Sequence, residues 1–200
     1  MPEIDLFEHR RQSYAIRLRE WRESASATEM LALSLFFAVL AGAAAQMRLF
    51  LPFTPVPLTG QVLIVLLAGF VLGRFGAVSM GMYLVLGSAF GWFSGAVGMA
   101  ALSGLTAGYL FGFVVAAAVV GELAQRRRHW SYVQIFAVMS LAVGVVYLLG
   151  SAWLSLVLGI DAVQALLIGA LPFVAVDAIK VLVASSVAYS ITPRKAEAQG

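Results

Sequence analysis

Two charged residues, Asp177 and Lys180, interrupt an otherwise apolar stretch near the C-terminal end of the chain. Either side chain costs about 2.5–3.5 kcal/mol at the centre of a membrane helix. Their spacing of three residues places both on one helix face. Either they form a mutually neutralising structural pair, or they line a cavity for a ligand. In such a cavity the ammonium would bind a carboxylate and the aspartate would accept hydrogen bonds from N–H donors.

Four other polar side chains are candidates for the same site, because they lie in the outer half of predicted apolar helices: Gln61, Tyr83, Thr106 and Tyr109. An amide, a hydroxyl and two phenols supply both hydrogen-bond donors and acceptors. Either tyrosine can instead bond a backbone carbonyl. The convergence of one acid, one base, an amide and aromatic rings predicts a small-molecule site.

The segment 51–58, with the sequence LPFTPVPL, is a proline-rich loop before one of these helices. Its prolines are Pro52, Pro55 and Pro57, and Thr54 lies between them. Proline cannot continue a helix and favours extended backbone at the residue before it. A stiff apolar loop predicts a lid over the ligand site, and a simple rigid turn is the alternative.

The composition of the chain indicates what must position these residues. Hydrophobic residues make up 62% of the 200 residues and charged residues 12%, whereas a soluble domain has about 45–50% and 25%. There is no cysteine, and the two histidines, His9 and His129, lie among charges, so neither disulfides nor a metal site is expected. We predict an all-α polytopic membrane protein. Its net charge of +3 is interpreted as a topology signal rather than as a sign of nucleic-acid binding.

Six helices account for the long stretches without Asp, Glu, Lys or Arg, since a membrane span needs about 20 apolar residues. The predicted helices cover residues 29–47, 58–73, 75–91, 101–124, 131–158 and 172–191. Cytoplasmic termini would place five N-terminal arginines, Arg74, the arginines at 126–128, Arg194 and Lys195 inside, and leave Arg48 outside. This asymmetry follows the positive-inside rule and predicts a multi-pass protein of the cytoplasmic membrane.

Three segments follow from this topology: a cytoplasmic N-terminal extension at 1–28, a six-helix membrane domain at 29–192 and a cytoplasmic tail at 193–200. In the extension, Tyr14, Leu18, Trp21 and Ala25 recur every three or four residues, with charged residues between them. The spacing indicates an amphipathic helix on the inner membrane surface. A disordered, charge-balanced tail is the alternative.

The first predicted membrane helix is unusually rich in small residues. Ala38 and Gly42 form one pair at a spacing of four residues, and Ala41 and Ala45 form a second. Small residues let helix backbones approach closely in lipid. The stripe is therefore expected either to pack inside the bundle or to present a groove to a partner protein.

Several activities are disfavoured by what the sequence lacks. It contains no G-x-x-x-x-G-K-[ST] motif, so ATP hydrolysis by a P-loop is not expected. Asp177 is the one acid deep in a predicted helix, which argues against an enzyme with two catalytic carboxylates. A complete alternating-access carrier of 200 residues would be small, so a binding subunit driven by partner proteins fits better than an enzyme or a self-contained carrier.

Three ordered motifs resemble those of the BioY family, the biotin-specific substrate-binding (S) components of energy-coupling factor (ECF) transporters. Segment 51–61, LPFTPVPLTGQ, is similar to the family's P-x-T-P-V-P-I-T-x-Q. Segment 104–109, GLTAGY, is similar to G-P-T-G-G-Y, and segment 172–180, PFVAVDAIK, to P-F-x-x-x-D-x-x-K. The resemblance extends from about residue 30 to residue 190.

This resemblance implies a six-helix S component that binds biotin near the extracellular side, without a cofactor. It further implies a transmembrane coupling protein and two ATPases as partners. Asp177 and Lys180 match the D-x-x-K implicated in holding biotin. Small residues on the first helix contact the coupling protein in such systems, which favours the partner interpretation of Ala38, Ala41, Gly42 and Ala45.

Departures from the family motifs leave two alternatives open. Gly60, Leu105 and Ala107 replace a larger apolar residue, a proline and a glycine, all in segments expected to line or cover the site. The chain could instead be an S component for another small carboxylate-bearing vitamin or a biotin precursor. A protein of a different class, a structural or assembly bundle without a ligand, is the second alternative.

Overall fold

The computed structural model describes residues 2–93, 98–126 and 129–193. Its helices are α1 (Pro2–Ser24), α2 (Ala27–Gln46), α3 (Gln61–Leu72), α4 (Phe75–Phe90), α5 (Met99–Ser103), α6 (Ala107–Arg126), α7 (Tyr132–Leu158), α8 (Ala162–Gly169) and α9 (Val174–Ser190). A short 3-10 helix, Leu171–Phe173, joins α8 to α9, and two short strands, β1 (Arg48–Leu49) and β2 (Leu58–Thr59), lie between α2 and α3.

Within the described residues, four segments are long and apolar enough to cross a membrane: α2, α6, α7 and the continuous stretch Ala162–Ser190. Two shorter apolar helices, α3 and α4, have 12 and 16 residues. Large apolar side chains such as Leu35, Phe36 and Val39 of α2 are exposed, as lipid-facing surfaces require. The prediction of a mainly helical, polytopic membrane protein is confirmed.

The loop after α2 contains a feature that the sequence did not predict. Arg48 pairs with Thr59 and Leu49 with Leu58 in an antiparallel ladder. The predicted helix at 58–73 therefore begins later, at Gln61, because Leu58 and Thr59 are held in extended backbone beside β1. These two strands of two residues each are a small addition to an otherwise helical chain.

The helix predicted at 101–124 is broken into α5 and α6. Gly104 adopts extended backbone (φ −73°, ψ 179°), which ends α5. Its carbonyl accepts a hydrogen bond of 2.9 Å from Nε1 of Trp153 and one of 3.1 Å from the backbone N–H of Ala107. Trp153 of α7 therefore binds the Gly104 carbonyl at the break. This hydrogen bond fixes the start of α6 relative to α7.

The helix predicted at 172–191 is shorter than expected and is preceded by α8, which the sequence analysis missed. Asp161 caps α8 by accepting hydrogen bonds of 2.9 and 3.0 Å from the backbone N–H groups of Val163 and Gln164. Pro172 does not open α9 but lies in the 3-10 helix before it. Asp177 consequently lies in the first turn of α9.

Close packing at glycine positions joins the helices. A Cβ atom on Gly69 of α3 would lie 2.8 Å from the backbone oxygen of Ala117 on α6. Helix α6 also packs against α4 and α7, and α3 packs against α2, α4 and α9. Such approaches are typical of membrane bundles, in which packing and hydrogen bonds replace the hydrophobic effect.

The small-residue stripe of α2 lies inside the bundle. Ala38, Ala41 and Ala45 are fully buried, and a Cβ on Gly42 would lie 2.8 Å from the ring of Trp92. The four residues therefore do not form an exposed groove, because α3, α4 and Trp92 cover that side of α2. Contact with a partner through them would require these neighbours to move, and it stays a prediction.

The N-terminal extension contains the helix α1, and its placement on the inner membrane surface stays a prediction. Ala15 of α1 is buried, and Nη1 of Arg22 donates a hydrogen bond of 3.3 Å to the carbonyl of Phe70 near the end of α3. Tyr14 is 69% exposed and Trp21 is 37% exposed. Helix α2 begins with a reciprocal cap between Ser26 and Glu29, so the junction lies a few residues before the predicted boundary at 28.

Candidate ligand-binding site

The ion pair between Asp177 and Lys180 lies at the start of α9. Nζ of Lys180 is 2.6 Å from Oδ1 of Asp177, and the two side chains are 14% and 5% exposed. The position of Asp177 in the first helical turn favours its negative charge, because the backbone N–H groups at that end carry partial positive charge. The local structure of α9 therefore holds both charges on one face, as predicted.

Tyr147, in the middle of α7, is a member of the site that the sequence analysis missed. Its hydroxyl donates a hydrogen bond of 2.6 Å to Oδ2 of Asp177. A tyrosine within a 27-residue apolar helix gives little signal by itself. Its position opposite Asp177 depends on the packing of α7 against α9.

The ammonium of Lys180 has a second acceptor in the β-hairpin that β1, β2 and the loop between them form. Nζ donates a hydrogen bond of 2.6 Å to the backbone oxygen of Thr59 in β2. An ammonium has three N–H donors, and the contacts with Asp177 and Thr59 account for two. One donor of Lys180 is therefore left for a ligand among the described residues.

These groups line a cavity with an empty volume of about 540 Å³, including its mouth. The polar residues that line it are Thr59, Gln61, Thr106, Tyr109, Tyr147, Asp177 and Lys180. The apolar wall includes Phe113 of α6, Val146 of α7 and Phe173 of the 3-10 helix. A mainly apolar wall with a few convergent polar groups is the usual form of a small-molecule site.

Gln61 and Thr106 line the cavity, whereas Tyr83 lies behind Gln61; a role of these residues in ligand binding stays a prediction. Nε2 of Gln61 donates a hydrogen bond of 2.7 Å to the hydroxyl of Tyr83. Tyr83 is fully buried, and its ring meets that of Phe93 edge to face with centroids 5.3 Å apart. In this structure Tyr83 therefore fixes the amide of Gln61 and does not itself line the cavity.

The ring of Tyr109 lines the cavity, but its hydroxyl bonds a backbone carbonyl. The hydroxyl donates a hydrogen bond of 2.8 Å to the carbonyl of Gly169, at the end of α8. The ring packs against Gly150 of α7, where a Cβ atom would overlap it. Tyr109 thus joins α6 to α8, which is the alternative role that the sequence left open for it.

The proline-rich loop contributes to the cavity through its last residues. Val56, Pro57 and Leu58 line the cavity, and Val56 is buried. The other predicted lid residues lie further out: Pro52 and Pro55 are exposed, and Thr54 is partly buried. Oγ1 of Thr54 accepts a hydrogen bond of 3.1 Å from the backbone N–H of Val56, which stiffens the loop beside the cavity.

The arrangement suits a small ligand with both a carboxylate and N–H donors. The free donor of Lys180 can bind a carboxylate, and such a charge-assisted bond is about twice as strong as a neutral one. The Asp177 carboxylate can accept hydrogen bonds at lone pairs that Lys180 and Tyr147 leave available. The aromatic and aliphatic wall can receive the apolar part of the ligand.

Comparison with known proteins gives consistent matches. A profile of the BioY family matches residues 16–197. The biotin transporter BioY of Thermotoga maritima is 36% identical over 152 residues, which cover 74% of this chain and 87% of the relative. The biotin transporter BioY of Rhizobium etli is 32% identical over 188 residues, which cover 86% of this chain and 100% of the relative.

A solved structure shares the fold. The crystal structure of the S component for biotin from an ECF-type ABC transporter matches with a TM-score of 0.75 and 22% sequence identity. The match covers 81% of this chain and 89% of that one. Because the family profile spans nearly the whole sequence and two relatives exceed 30% identity over most of it, the chain belongs to the BioY family.

Proposed function

We propose that this protein is the membrane-embedded biotin-binding subunit of a biotin uptake system. The observation that carries the proposal is the hydrogen-bonded group of Asp177, Lys180 and Tyr147 in the lining of a mainly apolar cavity. The names of the relatives and of the matching solved structure support biotin as the ligand. Its role is binding for transport rather than catalysis.

In this proposal each part of biotin has a complementary part of the cavity. The third donor of Lys180 binds the carboxylate of biotin. Asp177 accepts hydrogen bonds from the ureido N–H groups, and Tyr147 holds the Asp177 carboxylate in place. The aliphatic chain and the bicyclic ring lie against Phe113 and Phe173.

The hairpin between α2 and α3 acts as a lid in this proposal. The backbone oxygen of Thr59 accepts a hydrogen bond from Lys180. This bond connects the hairpin to the ion pair of Asp177 and Lys180. The carboxylate of the ligand binds the third donor of Lys180, so the ligand and the Thr59 oxygen share one ammonium. Ligand binding is thereby coupled to the position of Val56 and Pro57 above the cavity.

We further propose that the chain crosses the cytoplasmic membrane six times, through α2, α3, α4, α6, α7 and α9. Both termini are then cytoplasmic, as the distribution of arginine and lysine indicates. Uptake is driven by an ECF transmembrane coupling protein and two ATPases, because the sequence has no P-loop of its own. Ala38, Ala41, Gly42 and Ala45 would meet the coupling protein after a rearrangement of α2.

A ligand panel tests the proposal. Full-length protein purified in detergent is heated with biotin, a biotin precursor or another carboxylate-bearing vitamin. A ligand at 100 times its Kd stabilises the native state by about 2.7 kcal/mol, so biotin should raise the Tm clearly and the others little. Stabilisation by another vitamin alone would identify a different S component. The absence of any shift would favour an assembly protein without a ligand.

A further inference from the structure

A second cavity lies at the opposite ends of α3 and α6 from the ligand site, between α1 and the bundle. Arg19 and Arg22 of α1 line it together with Arg74, which immediately precedes α4. Its empty volume is about 720 Å³, including its open side. Three guanidinium groups thus converge on one space, and the proposed biotin site uses none of them.

Within the described lining of this arginine cavity, positively charged residues outnumber acidic ones. Glu23 is the one carboxylate in the described lining, and its Oε1 is 2.8 Å from Nε of Arg19. Arg74 donates a long hydrogen bond of 3.4 Å to the neutral amide of Gln125. Among the described lining residues, three cations face one anion, which is an excess of two positive charges.

The positive charge of Arg22 is destabilised by its surroundings. It is partly buried between α1 and α3, and its guanidinium donates to the backbone oxygen of Phe70. Burial, and after it the positive charge of Arg19, lowers the pKa of Arg22, and Glu23 compensates only in part. A bound anion would offset both effects.

The elements around the cavity add two features that an anion would use. Helix α4 begins at Phe75, which lines the cavity, so the positive end of its dipole faces the same space. Ala25, Met30 and Phe75 form an apolar edge beside the arginines. Tyr14 and Trp21 of α1 are exposed nearby in sequence, as side chains at a membrane interface commonly are.

We propose that the arginine cavity binds a phosphate group, with the headgroup of an anionic phospholipid as its source. Guanidinium groups bind phosphate oxygens with paired, charge-assisted hydrogen bonds. Basic cavities between helices at the membrane surface are known to take such headgroups. The bound lipid would hold α1 against the C-terminal ends of α3 and α6 and the N-terminal end of α4. The N-terminal extension would thereby contribute to the stability of the bundle.

Calorimetric titration of the full-length protein in neutral detergent tests this proposal. The ligands are short-chain phosphatidylglycerol, short-chain phosphatidylcholine and inorganic phosphate. Phosphatidylglycerol should bind the wild type, and Arg19→Gln with Arg74→Gln should weaken its binding by about tenfold or more. The control Arg126→Gln should not, because Arg126 pairs with Glu122 of its own helix and does not line the cavity.

The three ligands separate the sources of the phosphate. Binding of inorganic phosphate that also depends on Arg19 and Arg74 would support the site with a free anion as its occupant. Equal binding of phosphatidylglycerol by the wild type and the double variant would overturn the proposal, as would equal binding of phosphatidylcholine and phosphatidylglycerol. Biotin binding by the same variants should be unchanged, so the result is independent of the proposed transport function.

Discussion

Asp177 is held from two sides by groups that come from different parts of the chain. Lys180 lies on its own helix, whereas Tyr147 reaches it from α7. Removal of one partner from a buried ion pair costs about 3–5 kcal/mol, mostly because an unpaired charge is left behind. Variants that test binding should therefore neutralise Asp177 and Lys180 together, so that a loss of affinity is not confused with a loss of folding.

Tyr147→Phe should weaken biotin binding by about tenfold and lower the Tm by several degrees. The ring keeps its packing, but the Asp177 carboxylate loses a hydrogen bond, and such a bond to a charged group is worth about 1.5–3 kcal/mol. Equilibrium binding of radiolabelled biotin measures the effect. The control Tyr132→Phe, at the start of α7, should bind biotin normally, and unchanged affinity in Tyr147→Phe would contradict the role of this hydroxyl.

The helices and loops explain how much of the site could be read from the sequence. Asp177, Lys180 and Gln61 were predicted because polar groups in apolar helices are conspicuous. The backbone oxygen of Thr59 could not be predicted, since any residue in β2 would offer the same oxygen. Tyr147 was missed because its partner lies 30 residues away on another helix.

Helix boundaries were predicted well where charges or caps mark them and poorly elsewhere. The predicted helix at 75–91 differs from α4 by one residue, since Arg74 and Gly91 mark its ends. Helix α8 was missed because its eight residues are too few for a membrane span and it has no charged residue after its cap at Asp161. A short apolar helix cannot be separated by composition from the longer one that follows it.

Gly150→Ala should lower both the stability and the affinity of the protein for biotin. The added methyl group would overlap the ring of Tyr109, and overpacking of this kind costs about 1–3 kcal/mol. Displacement of Tyr109 would also disturb the cavity wall. Thermal unfolding and biotin binding measure the two effects.

Gly144 offers a matched control on the same helix. A Cβ atom there meets nothing within 4 Å, so Gly144→Ala should keep or slightly raise the Tm, as alanine is the better helix former. Equal behaviour of the two variants would show that Gly150 does not hold Tyr109 in place.

The two cavities lie at opposite ends of the helical bundle. The proposed biotin site lies near the starts of α3 and α6, and the arginine cavity lies near their other ends. In the proposed topology, which follows the positive-inside rule, the arginine-rich end faces the cytoplasm. This orientation would let biotin enter from outside and would place α1 at the inner leaflet.

The absence of cysteine makes this orientation directly testable. In intact cells, a membrane-impermeant thiol reagent should label Pro55→Cys in the exposed loop. It should label Glu20→Cys on α1 only after the membrane is opened. Each variant carries a single thiol, so the wild type is the unlabelled control. Labelling of Glu20→Cys in intact cells would reverse the proposed topology.

The most direct test of the proposed site compares biotin with its neutral amide. Wild-type protein should prefer biotin by about tenfold or more, because the amide cannot form the charge-assisted bond with Lys180. The paired variant Asp177→Asn with Lys180→Met should bind both weakly and without preference, whereas Tyr147→Phe should keep the preference. If the paired variant still preferred biotin as strongly as the wild type does, the carboxylate would bind elsewhere, and the assignment of the site would be wrong.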